Sequence, residues 1–203
     1  MGEGGADFEF FRALIEERNL PDLQAIKPAG GDTFYGRRLQ AMKFNRGLDQ
    51  VKTLVLATDS NGDPNAAFAK VAAQVRDAQD YGVPAAPLAV SVSPTAGLPG
   101  IAILSLPWIN VLGSLETLLL GPLSAKWPGA AARAEDFIVR SATNASGVSG
   151  RSKALVACLV AAVCTDDPSS AVSSLWYERK GFRGILGKGD PALDQLVTYL
   201  SAL

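Results

Sequence analysis

The segment 52–58 most strongly constrains how this chain can fold. Its sequence is rich in β-branched and aliphatic residues, without alternation of apolar and polar side chains, a composition typical of a strand buried on both faces. Such a strand needs helices on both sides of its sheet. Segments with helical signals precede and follow it, and this alternation predicts an α/β fold with a mainly parallel sheet.

The remaining elements follow from apolar periodicity, turn residues and capping signals. Further strands are predicted at residues 23–26, 88–92 and 101–106, the last two forming an antiparallel hairpin across the turn-rich segment 93–100. Helices are predicted at residues 8–18, 33–44, 64–78, 130–143, 152–165 and 191–203, and Ser114 is expected to cap a further short helix. We therefore expect an α/β domain over residues 1–125 and a helical extension, residues 126–203, packed on the same domain.

The absence of histidine from the 203 residues excludes several mechanisms. Ser-His-Asp and Cys-His catalysis and Cys₂His₂ zinc sites all require that residue. Acid–base chemistry would therefore use carboxylates, lysine, tyrosine or metal-bound water. With 19 basic and 20 acidic residues, the net charge of −1 provides no global attraction to nucleic acid, so a polyanion would have to meet a local patch or a bound metal.

The sequence predicts a cytoplasmic protein without a membrane partner. No signal peptide precedes the first predicted element, and no uncharged apolar run reaches the roughly 20 residues that a bilayer span requires.

Acidic residues follow several of the predicted strands and turns. Glu3 and Asp7 lie at the start, Asp59 directly follows the segment 52–58, and Glu116 follows the predicted strand 101–106. Because the carboxyl ends of parallel strands face one crevice, these carboxylates can converge on one cation. Oxygen ligands suit Mg²⁺, so the pattern predicts metal-dependent phosphate chemistry.

The order of these motifs resembles the Toprim-like proteins known as DUF3226. The resemblance rests on Glu3-Gly4-x-x-Asp7 before a helix, Gly30-Gly31-Asp32, a strand leading into Asp59, Gly113-x-x-Glu116 after Pro107, and Ser152-Lys153 opening a late helix. It spans nearly the whole chain. It implies a Toprim-like, Rossmann-like sheet related to the catalytic domains of topoisomerases, primases and overcoming-lysogenization-defect nucleases.

The resemblance also implies roles for individual residues around Mg²⁺ or Mn²⁺. Glu3 and Asp59 would be catalytic metal ligands and Lys153 would stabilise negative charge. Asp7, Asn61 and Glu116 would complete the metal ligands.

The sequence departs from the family pattern at two places. Asn61 stands where the family has a second aspartate, and Asp63 is a candidate replacement. The family fold also places an apolar strand before Glu3, where this sequence has Met1 and Gly2; either the start was assigned too late, or this version of the fold has lost its first strand. Residues 23–26 would then pair directly with residues 52–58, or a segment of another chain would fill the gap.

Three function hypotheses remain open at this point. The first is a Mg²⁺-dependent nuclease or related phosphotransfer enzyme acting on nucleic acid. The second is a catalytically degenerate module that binds nucleic acid, a protein or a second copy of itself. The third is a small-molecule binder that uses the Gly30-Gly31 and Asn61-Gly62 loops.

Overall fold

A computed structural model describes residues 1–27, 30–141, 146–164, 169, 172, 175, 176 and 180–203. The helices are α1 (Gly5–Arg18), α2 (Tyr35–Met42), α3 (Pro64–Asp77), α4 (Leu115–Lys126), α5 (Pro128–Arg140), α6 (Gly147–Val163), α7 (Lys180–Arg183) and α8 (Pro191–Ser201). Short 3₁₀ turns occur at Leu48–Gln50 and Gly184–Leu186. No helix among the described residues is long and apolar enough to cross a membrane.

The sheet consists of two parallel strands in the described part of the chain. Strand β1 (Thr53–Asp59) pairs with β2 (Gly100–Leu106), in a register that runs from Thr53 opposite Gly100 to Asp59 opposite Leu106. Helix α3 lies between the two strands in the chain and forms the crossover that parallel pairing requires. The protein is therefore a mixed α/β structure, as predicted, but its sheet is smaller than the sequence suggested.

Two of the predicted strands are not strands. Residues 88–92 lie beside β2, with Leu88 N–H donating to Ile103 C=O (2.9 Å) and Ser91 N–H to Ile101 C=O (2.8 Å), but they form no ladder. Leu88 has a φ of 65°, which breaks an extended run because a strand needs negative φ. The predicted hairpin was therefore wrong.

Residues 23–26 form neither a strand nor hydrogen bonds to β1 among the described residues. The predicted direct pairing of the two segments was also wrong. Both instead line the two sides of a groove, whose volume is about 690 Å³.

Helices cover both faces of the sheet, which explains why β1 reads as continuously apolar. One buried cluster contains α2, α3 and the side chains of Leu54, Leu56, Ile101 and Ile103. The other contains α1, α4, α6 and α8 around Ala57, Leu104 and Leu106. Burial on both sides removes the polar alternation that a half-exposed strand would show.

Apart from the short α7, the helices occur where helical signals were found, with shifted ends. Pro64, Pro128 and Pro191 each occupy the first turn of a helix, where the missing N–H of proline costs no hydrogen bond. Helix α6 starts at Gly147, five residues before the predicted start at Ser152. The predicted ends at residues 143 and 165 lie outside the described residues, and the predicted domain boundary at residue 125 falls within the last turn of α4.

Candidate functional site

Asp59 is the last residue of β1 and lies between two helices. Its Oδ1 accepts a hydrogen bond from the backbone N–H of Leu115, the first residue of α4, at 3.0 Å. Its Oδ2 lies 3.3 Å from the Nζ of Lys153 on α6. The carboxyl end of the strand therefore presents a carboxylate to one helix N-terminus and one cation.

Glu3 reaches the same strand end from the amino terminus. Its Oε1 accepts hydrogen bonds from the Asp59 N–H (3.1 Å) and from the Thr58 hydroxyl. Its backbone C=O accepts a hydrogen bond from Gly31 N–H at 2.9 Å, so the Gly30-Gly31-Asp32 turn also lies beside this carboxylate. These contacts hold Glu3 in place beside the end of β1.

Asp7 and Glu116 complete a group of four carboxylates that we call the acidic cluster (Glu3, Asp7, Asp59 and Glu116). Asp7 is the third residue of α1, and its Oδ2 accepts the Gly4 N–H at 2.9 Å. Asp7 therefore pairs with the backbone N–H of Gly4 from within the first turn of α1, whereas the sequence predicted that Asp7 precedes the helix. Glu116 is the second residue of α4, and its Oε2 accepts the Ser114 hydroxyl at 2.7 Å.

Burial raises the pKa of Glu3, Asp7 and Asp59. Desolvation, together with the charges of Asp59 and Glu116, raises the pKa of Asp7 to about 6 against the hydrogen bonds from the backbone. Desolvation also raises the pKa of Asp59 to about 6, although Lys153 and the Leu115 N–H oppose the shift. The pKa of Glu3 is raised by burial, which outweighs its hydrogen bonds from Thr58 and Asp59.

Lys153 stays a cation in this environment. Burial lowers its pKa, but the charges of Asp59, Glu116 and Glu3 outweigh that effect and raise the pKa above the ordinary lysine value. The site therefore combines one firmly positive group with carboxylates that repel one another.

Asn61 and Asp63 have structural roles in the loop after β1. Asn61 has a φ of 48°, and its backbone exchanges two hydrogen bonds with Gly113 (2.6 and 2.9 Å), which ties the loop to the start of α4. Asp63 caps α3, because its Oδ1 accepts the N–H groups of Asn65 and Ala66 at 2.9 and 3.0 Å. Asp63 therefore serves as a helix cap, and its replacement of the aspartate missing at position 61 stays a prediction.

Three polar groups near the cluster were not predicted as site residues. Thr58 holds Glu3, and the Tyr35 hydroxyl donates to the Ala57 C=O just before the strand end. Burial raises the pKa of Tyr35, and the charges of Glu3 and Asp7 add to the effect. Thr117 donates to Ser152 at 3.0 Å and so links α4 to α6 beside Lys153. One sequence signal could have identified Thr58. It is a polar residue at a buried strand position, directly before the acidic residue Asp59.

The cluster is not a preformed multidentate metal site. Within the described ranges, no group of three or more carboxylates, cysteines or histidines is close enough to hold one ion. A cation bound here would therefore use one or two carboxylates and fill its remaining positions with water, which is the usual arrangement for Mg²⁺.

Comparison with known proteins gives a family but no function. No curated protein and no solved structure gave a significant match. The family DUF3226, described as a protein of unknown function, matches over residues 1–203. Because the match covers the whole chain, the protein belongs to the DUF3226 family, as its sequence motifs indicated.

Proposed function

We propose that the acidic cluster and Lys153 bind Mg²⁺ or Mn²⁺ and carry out phosphodiester chemistry on nucleic acid, in a Toprim-like arrangement within the cytoplasm. The observation that carries the proposal is the convergence of four carboxylates and one lysine at the carboxyl end of β1. Such a concentration of mutually repelling, partly buried carboxylates is stabilised by a cation.

The donor groups fit a water-rich Mg²⁺ shell. The second carboxylate oxygens of Glu3 and Glu116 have no hydrogen-bond partner in the described part of the chain, whereas Asp59 uses both of its oxygens, Oδ1 with the Leu115 N–H and Oδ2 with Lys153. Asp59 and Glu116 are the proposed direct ligands, since Leu115, which binds Asp59, directly precedes Glu116. The other two carboxylates and the Asn61 amide oxygen would bind through water.

The protein's own groups would orient the substrate and move protons. A bound metal would supply Lewis-acid activation of a phosphoryl oxygen and of a water molecule. The Lys153 ammonium would bind the negatively charged phosphate. Its contact with Asp59 fixes the position of the ammonium group. Asp7, whose pKa is about 6, could accept a proton near neutral pH.

A second candidate function is a binding module without hydrolytic activity. It is favoured by Asn61, which removes one charge from the ligand set, and by the absence of a three-ligand group among the described residues. Such a module would engage nucleic acid, a partner protein or a second copy of itself. The third hypothesis, small-molecule binding at the two loops, gains no support at Asn61-Gly62, because the Asn61 backbone is already paired with Gly113.

Calorimetric titration with Mn²⁺ tests the metal site. We expect the natural protein to bind Mn²⁺ and Asp59→Asn to bind at least tenfold more weakly, because a direct ligand loses its charge. Asn61→Asp should bind more tightly, because it adds a carboxylate. Asp22→Asn, an exposed acid on the connection between α1 and α2, is the matched control and should bind like the natural protein. Equal binding by Asp59→Asn and the natural protein would contradict the proposal.

Cleavage assays then separate the two candidate functions. Single-stranded and duplex DNA and RNA are incubated with the protein and Mn²⁺, with Lys153→Met as the variant that lacks the ammonium. Metal-dependent cleavage that Lys153→Met loses supports the enzyme. Metal binding without cleavage of any of these substrates would favour the binding module.

A further inference from the structure

A basic segment follows the Gly30-Gly31-Asp32 turn. Residues 33–48 contain no acidic side chain and four basic ones, namely Arg37, Arg38, Lys43 and Arg46. Of these, Arg37 and Arg38 lie on α2 and form no ion pair with a carboxylate among the described residues. The segment is therefore a local concentration of positive charge, which a polyanion needs when the protein as a whole carries a net charge of −1.

Phe34 is an exposed aromatic residue at the start of this segment. It is the N-cap of α2, where serine, threonine, aspartate or asparagine is preferred, and its side chain makes no capping hydrogen bond. Phe34 is 39% exposed and belongs to none of the buried clusters in the described part of the chain. Neither helix capping nor core packing therefore explains an aromatic ring at this position.

The two arginines of α2 lie next to Phe34, because residues three and four positions apart share one face of a helix. The Arg37 Cζ lies 5.6 Å from the centre of the Phe34 ring, which is a cation–π distance. Arg37 is exposed, whereas Arg38 is partly buried and its Nε has no hydrogen-bond partner among the described residues. We call these three residues the aromatic–arginine surface (Phe34, Arg37 and Arg38). It offers an aromatic ring together with guanidinium donors that no carboxylate occupies.

The aromatic–arginine surface lies beside the acidic cluster. The Gly31 N–H donates to the Glu3 C=O at 2.9 Å, and the Phe34 N–H donates to the Gly31 C=O at 3.2 Å. A Cβ added to Gly31 would lie 3.7 Å from the Phe34 ring, so the ring packs against this glycine. Tyr35, the first residue of α2, donates its hydroxyl to the Ala57 C=O near the end of β1. Gly31 is thus in contact with both Phe34 and Glu3.

The chemistry of this surface matches single-stranded nucleic acid. Single strands are bound by aromatic side chains on which bases stack, combined with positive charges along the backbone. In a duplex the faces of the bases are covered by their neighbours, so Phe34 would have no free face to stack on. An acidic peptide would pair with the arginines but leave the ring unused, and an apolar ligand would leave the arginines unused.

We infer that the aromatic–arginine surface binds an unpaired nucleotide of a single strand and so brings the adjoining phosphates to the acidic cluster. Phe34 stacks on the base, and Arg37 and Arg38 bind the phosphates on its two sides. The inference rests on the proposed function and narrows its substrate from nucleic acid in general to single strands and unpaired segments. Because this binding uses no metal ligand, it can be measured apart from the acidic cluster.

Fluorescence anisotropy of a labelled oligothymidylate in the presence of EDTA tests the inference. We expect saturable binding, and Phe34→Ala should bind about fivefold more weakly or worse, because it loses one stacked base. Phe34→Trp keeps an aromatic face and should retain the affinity. Phe44→Ala removes a ring that is 88% exposed at the other end of the basic segment and should leave the affinity unchanged. Equal affinities of Phe34→Ala and Phe44→Ala would overturn the inference.

Changes in the ligand and in the salt concentration separate stacking from charge. A strand with abasic sites in place of thymidine, and a duplex of the same length, should each bind about fivefold more weakly or worse than the thymidine strand. Arg37→Gln should reduce the slope of log affinity against log salt by roughly 0.7, the value for one phosphate contact with a single strand. Arg46→Gln, an exposed position of the same segment, should keep the slope of the natural protein. Equal binding of the abasic strand or the duplex, or an unchanged slope in Arg37→Gln, would contradict the inference.

Failure of this inference and failure of the proposed function give different results. Mn²⁺-dependent cleavage that proceeds equally well in Phe34→Ala would retain the metal chemistry and refute the role of the aromatic–arginine surface. Phe34-dependent binding of the strand by a protein that binds no Mn²⁺ would support the surface and contradict the metal site.

Discussion

At the scale of single residues, burial controls the charge of the acidic cluster. Asp7 and Asp59 both have pKa values of about 6, but only Asp59 contacts a lysine. For a carboxyl group with a raised pKa, the folded protein binds the proton more tightly than the unfolded chain. The associated stability is present at low pH and is lost as the pH rises from about 4 to about 6.

We therefore expect Asp7→Asn to stabilise the protein at pH 7. The asparagine oxygen can still accept the Gly4 N–H, while the cost of a buried negative charge disappears. The expected gain in the free energy of unfolding is about 1–3 kcal/mol at pH 7, with little change at pH 4. Urea unfolding between pH 4 and pH 7 measures both, with Asp22→Asn as the exposed control. A loss of stability at pH 7 would show that ionised Asp7 stabilises the fold.

At the scale of elements, the site depends on how the loop after β1 meets the start of α4. Asn61 and Gly113 pair through two backbone hydrogen bonds, and Ser114 N–H donates to the Thr117 hydroxyl at 3.1 Å. Gly113 has a φ of 138°, which side-chain-bearing residues rarely adopt. The glycine therefore lets α4 start where its first N–H reaches Asp59.

Substitution of Gly113 should disturb both the fold and the site. In Gly113→Ala the new Cβ would lie 2.7 Å from the Thr117 Cβ, in addition to the strain from the positive φ. We expect a loss of about 2–4 kcal/mol in the free energy of unfolding. Gly62→Ala, in the same loop system but with nothing within 4 Å of the added carbon, should change stability by less than about 0.5 kcal/mol. Equal losses in the two variants, measured by urea unfolding, would refute the steric explanation.

At the scale of the whole molecule, a buried arginine connects the two ends of the chain. Arg18, at the end of α1, donates to the Leu186 C=O (2.6 Å) and to the Asp194 carboxylate on α8 (2.5 Å). Its side chain is only 4% exposed. Because a buried cation without a partner is costly, this pair fixes α8 against α1.

Removing the anionic partner should therefore destabilise the fold globally. We expect Asp194→Ala to lower the free energy of unfolding by about 2–3 kcal/mol, less than for a fully buried pair because Asp194 is half exposed. Asp136→Ala removes the partner of Arg140 from an exposed pair within α5, and its cost should stay below about 0.5 kcal/mol. Thermal and urea unfolding compare the two. A cost for Asp194→Ala as small as that for Asp136→Ala would mean that Arg18 finds water or another acceptor.

The sequence by itself determined the features that depend on neighbouring residues. The continuously apolar run of β1 predicted burial on both faces, and Pro64 and Ser114 marked helix starts, because caps and periodicity act within a few residues. The sequence also placed Asp59 at the end of a strand and Glu116 behind the cap Ser114, and both positions are found in the structure. Family membership followed from the same motifs.

Only the tertiary structure decided what depends on distant partners. The strand that pairs with β1 and the position of residues 88–92 beside β2 are set by contacts between segments far apart in the chain, which local patterns do not encode. The same holds for the raised pKa values of Asp7 and Asp59, because burial and neighbouring charges arise only when α1, α4 and β1 come together. The role of Asp63 as a helix cap likewise depends on the direction of its turn, which only the tertiary structure shows.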